Sequence, residues 1–351
     1  MSTLLSPETL DSEHHETLRH ALLDTVLPTD LALETFAQLI DGLPLCRVAW
    51  DRYEHRLHPD HPINHHNELC GGALQVAQSL RDQLDVNTLR FEAELLQSYQ
   101  NSAPGSRRFQ LRLLELIAVA LHQIAVYLFE RDDERLHNKG SPSRYPHHTV
   151  DQVTSWRKPP GLFLNIEPWP TLFAHPAFAA SEQYPHGAAD IAGYWAEDRI
   201  LGGVMLFDRS RVWDDDDGDD GEPNVYFQSS RPRGTYLIYQ LSDAQQHLLI
   251  DFLLSRPSAA PANTPETRQC GDGGGSRMSC PLPLQFDRRH NPRTVDPEFA
   301  VVSEKIYRDS CERKPPRRYR NLIRERDVLD PVENPAAGDD ELSRLKSIGK
   351  S

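Results

Sequence analysis

The stretch from Arg107 to Arg135, RRFQLRLLELIAVALHQIAVYLFERDDER, restricts most what this chain can become. Its middle is apolar on nearly every side, and a helix of that kind has to be enclosed by other elements. The charged ends mark where it would reach the surface. His122 and Gln123 interrupt the apolar run, which reads as too short to span a bilayer. His122 itself reads as a core histidine hydrogen-bonded to a neighbour, in preference to a ligand or a general base.

The helices that could enclose this one precede it. Ser6 before Pro7 and Glu8 has the form of an N-cap with proline at the first helical position, and Leu18, Leu22 and Val26 follow at helical spacing. Thr29 and Asp30 open a second helix carrying Leu33, Phe36, Ile40 and Leu43. Leu69, Ala73, Val76, Leu80 and Leu84 mark a third, and Phe91, Leu95 and Tyr99 a fourth, before SAPGS at 102–106 breaks the chain.

Beyond residue 160 the pattern changes. Ala192–Trp195, Ile200–Phe207, Val225–Gln228 and Thr235–Leu241 are short runs rich in aromatic and branched residues, which predict four strands of a meander. Both alternating faces of ILGGVMLF and TYLIYQL are apolar, so the sheet is expected to be covered on both sides. Ser242 and Gln245 form a capping-box pattern ahead of an amphipathic helix with Leu248, Leu249, Phe252 and Leu253.

The expected class is therefore α+β: an N-terminal helical bundle (1–137), a linker (138–160), a small antiparallel four-stranded sheet with a capping helix (161–255), a flexible loop (256–285), a C-terminal helical segment near Asp296 (286–327) and a disordered tail (328–351). At 351 residues the chain is long enough for two units. A formal net charge of -14 disfavours whole-molecule attraction to nucleic acid or anionic lipid. Five widely spaced cysteines fit reduced thiols and a cytoplasmic location, with a nuclear one as the alternative.

Several clusters compete as sites. HRLHPDHPINHHNELC holds His55, His58, His61, His65, His66 and Cys70, residue types that bind zinc, but Pro59 and Pro62 break any helix that could aim paired histidines at one ion. WDDDDGDDGE at 213–222 fails calcium-loop spacing and reads as a solvated hairpin loop. The basic run from Arg313 to Arg326, with Tyr319 among its arginines, is a nuclear address or phosphate patch, or else pairs with the protein's own acids.

Glu197 or Asp198 as a general base and Arg199 as an anion clamp would form a catalytic group, with Trp195, Gly202 and Gly203 beside a ligand. The competing reading makes the acids a charged hairpin end and the glycines a bulge or a close approach.

The residues Tyr194–Ile200, Gly202–Val204, Leu206–Arg209, Val225–Phe227 and Thr235–Leu241 resemble a group of proteins of filamentous fungi that has no established activity. The resemblance implies an intracellular fungal-type protein and no reaction. With core patterns complete and catalytic motifs incomplete, the expected function is that of a non-catalytic or accessory protein binding a protein partner or small ligand between its helical and sheet units. The alternative is a metal-assisted hydrolase or other metabolic enzyme using the His55–Cys70 cluster or Glu197, Asp198 and Arg199. No cofactor is indicated.

Overall fold

The computed structural model describes residues 3–53, 62–130, 170–209, 224–229, 237–255, 293–309 and 311. Outside these lie the linker, the aspartate-rich, glycine-rich and basic runs, the tail, and His55, His58 and His61.

The helical layer begins with β1 (Leu4–Leu5), which pairs antiparallel with β2 (Phe91–Glu92). The Ser6 cap closes only a one-turn 3-10 helix, Pro7–Thr9. The first long helix starts instead at Asp11, whose side chain accepts from the backbone N–H groups of Glu13 and His14. It runs as α1 (Ser12–Arg19) and widens into a π-helix over His20–Val26. α2 (Asp30–Asp41) is capped by Thr29 and stopped by Gly42 at φ 80°. α3 (Cys46–Tyr53), α4 (Ala73–Gln83) and α5 (Ala93–Gln100) follow.

Against them lies α6 (Arg107–Glu130), with Leu113, Leu114, Leu116, Ile117 and Leu121 fully enclosed. Its 24 residues are long and apolar enough to cross a membrane by composition alone, which corrects the expectation that the run is too short; 78% of its most apolar 18-residue stretch is buried within the fold.

The largest departure from the sequence reading follows. Ala192–Trp195 is no strand, because Ala188–Leu201 forms one helix, α7, packed along α6. Its residues are buried from Ala189 to Leu201 with the exception of Arg199, so it shows no polar face. An all-buried helix has the same local appearance as a buried strand. Gly202, at φ 92°, ends α7 by donating its N–H to Asp198 O at 2.9 Å.

The antiparallel sheet has five strands instead of four. β3 (Val204–Asp208), β4 (Val225–Gln228), β5 (Ile238–Gln240) and β6 (Thr294–Val295) are successive neighbours. β7 (Ile306–Tyr307) returns to the free edge of β3. Between β5 and β6 lies α8 (Asp243–Leu254), and between β6 and β7 a short helix, α9 (Pro297–Phe299), continued as a π-turn over Ala300–Glu304. The C-terminal segment expected as helix is helical over 297–304 but flanked by two short strands, with Ile306 on β7 and not on the helix.

Register fixes which side chains face where. Met205 lies opposite Phe227 and Phe207 opposite Val225, and all four join the core built by α6 and the N-terminal helices. Val204, Leu206, Tyr226 and Ile238 point to the other face, where Phe178, Tyr184 and Tyr194 cover them. Both faces of the sheet are therefore buried, as its two-sided apolar pattern requires. The helical layer and one sheet face share a single hydrophobic core.

α8 carries the expected capping box: Ser242 Oγ accepts from Gln245 N at 3.3 Å, and Gln245 Oε1 accepts from Ser242 N at 2.8 Å. Leu249, Ile250 and Leu253 then turn inward, and the helix packs on the His20–Val26 segment. Replacing Ser242 with alanine should cost about 1 kcal/mol. The expected signature is a lower urea midpoint with an unchanged slope; an unchanged midpoint would show that packing alone holds α8.

Candidate functional site

The residues singled out at 195–203 all sit in the interior or at its edge, and α7 is what places them there. Glu197 is fully buried and Asp198 nearly so. Glu197 Oε1 accepts from the backbone N–H of Met205 at 2.7 Å, and its other oxygen is paired with Arg308, which follows β7. A carboxylate with no exposed surface and both oxygens engaged by the protein has the geometry of an anchor.

Arg308 is the hub. Its Nη1 goes to Glu197, its Nη2 donates to His122 Nδ1 at 3.2 Å, and its Nε donates to Asp309 Oδ2 at 3.0 Å. Tyr194 lends its ring to the guanidinium at 4.8 Å and donates its hydroxyl to the same Asp309 oxygen at 3.2 Å.

His122 continues the chain outward: its Nε2 lies 3.0 Å from Asp190 Oδ1, while Asp190 Oδ2 accepts from His186 N at 2.7 Å. Arginine can only donate, so His122 Nδ1 must be an acceptor and Nε2 must carry the proton. The ring is therefore neutral. Burial pushes its pKa below the ordinary value of 6.5, the Arg308 charge adds to this, and the Asp190 hydrogen bond opposes it without prevailing. For Asp190, burial works toward a higher pKa, but the hydrogen bonds from His122 and His186 outweigh it and hold the carboxyl below its usual range.

The other flagged residues are spread apart. Asp198 Oδ1 lies 4.0 Å from His175 Nε2. Arg199 reaches α2, donating to Glu34 Oε1 at 3.3 Å and Thr35 Oγ1 at 3.4 Å, with its guanidinium over the Trp195 ring. Trp195 stacks edge-on against Phe173 at 4.8 Å. Gly203 is a close approach, as one reading of the sequence has it, but by a side chain: a Cβ there would meet the Phe227 ring at 3.1 Å. The structure does not converge Glu197, Asp198 and Arg199 on one point, and Gly202 and Gly203 are explained by a helix end and by packing.

A second ion group lies between the same layers. Glu115 on α6 accepts from Arg112 Nη1 at 2.5 Å and is paired with Arg209, which in turn donates to Arg308 O at 3.1 Å. It joins α6 to the ends of β3 and β7.

In the histidine-rich segment, His65 is exposed whereas His66 is buried. His66 Nδ1 lies 3.0 Å from Pro44 O and Nε2 lies 3.1 Å from Asp41 Oδ2, with Cys70 N donating to that same oxygen at 3.0 Å. Burial acts to lower the His66 pKa, but its bonds to Asp41 and Pro44 prevail and raise it. Burial and then the Asp41 carboxylate push the Cys70 thiol up to about 12. Asp41 was not legible as a site residue, since it lies in the last turn of α2, far from the histidines in sequence.

An open cleft of about 930 Å³ lies where α1 and its π-helical extension meet the ends of α4 and α8. Glu13, Glu16, Asp24 and Asp82 border it, and Leu23 and Leu254 contribute apolar surface. Arg19 is paired with Glu16 and Asp24, and Arg81 with Asp82, so four carboxylates face two guanidinium groups. The surplus is negative. Glu13 has no ion-pair partner among the described residues.

No protein-family model, no curated protein and no solved structure matches the chain.

The buried network makes two predictions. Gly193 lies on α7 directly under His122, and a Cβ there would meet the imidazole at 2.6 Å. Helix propensity favours Gly→Ala by about 1 kcal/mol, whereas overpacking a tight interior costs about 1–3 kcal/mol. Gly193→Ala should therefore destabilise the fold in a denaturant titration; a gain in stability would mean that His122 moves freely.

The second prediction concerns pH. Below pH 6.5 the unfolded chain takes up a proton at His122 that the folded chain refuses. Stability from this residue is complete above that value and is lost as pH falls, at up to about 1.4 kcal/mol per pH unit. Glutamine can accept from Arg308 and donate to Asp190 without titrating. His122→Gln should fold and lose less stability than the wild type between about pH 7 and about pH 5; parallel profiles would refute a neutral His122.

Proposed function

We propose that the protein is a non-catalytic, accessory protein that captures a basic segment of a protein partner in the cleft between its helical layer and α8. The observation that carries this reading is the cleft's surplus of negative charge beside apolar surface: Glu13, Glu16, Asp24 and Asp82 around Leu23 and Leu254. An extended segment bearing lysine or arginine would pair its charges with the rim and lay its alkyl stems on the two leucines. Glu13 offers the carboxylate with least internal competition. The site joins the two units that the sequence marks out, since Leu254 ends the helix following β5.

A hydrolase using Glu197 as base finds no support in this geometry. Its two oxygens are held by Arg308 and by the Met205 N–H, inside a network where Asp190, His122 and Asp309 are also engaged with neighbours. Such groups rivet α6, α7 and the β7 edge together.

Fluorescence anisotropy with a labelled arginine- and lysine-rich peptide tests the proposal against the whole chain. Binding should weaken with added salt, and Glu13→Lys with Asp82→Lys should lower affinity about tenfold, equivalent to about 1.4 kcal/mol. Glu182 and Asp296 are acids outside the cleft. Reversing them instead should change affinity little. Equal losses from both pairs would reduce the binding to net charge and overturn the cleft as the site.

A further inference from the structure

Three segments bring an oxygen, a nitrogen and a sulfur together beneath the start of α4. Asp41 ends α2, His66 follows the turn Pro62–His65, and Cys70 lies three positions before the first residue of α4. One ligand atom of each lies within 4.8 Å of the others. In a tetrahedral zinc site, donors at roughly 2.0–2.3 Å from the ion are separated by roughly 3.3–3.8 Å, so small side-chain movements would close these three around an ion.

The orientation of His66 is that of a metal ligand. Pro44 O, 3.0 Å away, takes the Nδ1 proton and fixes the ring, which turns Nε2 toward Asp41 and Cys70. Hydrogen bonding alone leaves a residue unexplained here. The Asp41 side chain is wholly enclosed, and its Oδ1 has no hydrogen-bond partner among the described residues although Oδ2 accepts from both His66 and Cys70 N. A buried carboxylate oxygen without a donor costs free energy unless something positive meets it.

His14 supplies the internal comparison. It too faces two acceptors, Asp11 at 2.9 Å and Ser102 O at 3.0 Å, but Asp11 is open to solvent and no thiol converges with it. That arrangement is complete as an ion pair, and the one around His66 is not.

We propose that Asp41, His66 and Cys70 bind a divalent transition-metal ion of the zinc class, with a further position open toward the partly exposed side of Cys70. The mixed oxygen, nitrogen and thiolate set suits a borderline-soft ion better than magnesium or calcium. Entry of the ion displaces the thiol proton and the proton shared by His66 and Asp41. Two positive charges replace two, so the buried site keeps its net charge. The site is independent of the cleft and of partner binding.

The test uses the full chain, stripped with chelator and titrated with cobalt(II). One cobalt per chain should bind, with a thiolate-to-cobalt charge-transfer band in the near ultraviolet, and zinc should displace it. Cys70→Ser should remove that band and His66→Gln should abolish stoichiometric binding, while Cys46→Ser, next to His66 through its backbone, should leave both intact. Circular dichroism checks that each variant is folded. Absence of the band in the wild type, or its survival in Cys70→Ser, would overturn the proposal; the wild-type titration decides even if a variant fails to fold.

Discussion

The ion pair between Arg308 and Glu197 is the contact on which the layers of this protein depend. Both side chains are almost wholly removed from water, at 2% and 0% exposure. Desolvating two charges costs several kcal/mol each, and the mutual attraction offsets this only when the remaining donors and lone pairs are also satisfied. Here they are. Glu197 takes the Met205 N–H at the start of β3, and Arg308 spends its other donors on His122 and Asp309. Leaving either charge without its partner would strand the other in the interior.

The same network has a geometric role that apolar packing could not fill. α6, α7 and β7 come from distant parts of the chain, and leucine contacts tolerate sliding of one helix along another. A guanidinium fork does not. With two of its nitrogens committed to α7 and α6, Arg308 fixes the axial position of α7 against α6 and holds the returning strand at the β3 edge. Glu115, shared by Arg112 and Arg209, repeats the device between α6 and the strand ends. Gly193 completes it from the other side by giving the His122 ring space against α7.

How far the sequence spoke depended on how polar each element's exposed side is. α4 and α8 keep a solvent face, and the starts at Thr29 and Ser242 and the stop of α2 at Gly42 carry recognisable chemistry. β4 was legible to the residue because the glycine, proline and serine residues of the sequence on either side isolate the short run VYFQ. α7 was not, because burial on all sides erases the period that distinguishes helix from strand. Its uninterrupted length without proline, and Gly202 as the stop, were the signals available. The site residues follow the same division. His122 could be read as a core histidine, since an imidazole inside an apolar helix demands a partner, but which partner depends on β7, too short at Ile306–Tyr307 to announce itself.

The two buried histidines show why tautomer, more than burial, decides what such a residue can do. His122 meets one donor and one acceptor, so a single proton satisfies it, and its environment favours the neutral ring. Added positive charge at that point would push against Arg308. His66 meets two acceptors, and its Nε2 faces a carboxylate with a thiol alongside. Positive charge there is stabilised, whether carried by a proton or by an ion. Two enclosed imidazoles in one fold thus have opposite preferences: the central network rejects cations and locks the layers, whereas the turn ahead of α4 attracts them. Any chemistry this protein performs with a metal would therefore be placed at the margin of the helical layer, away from the charges that hold it together.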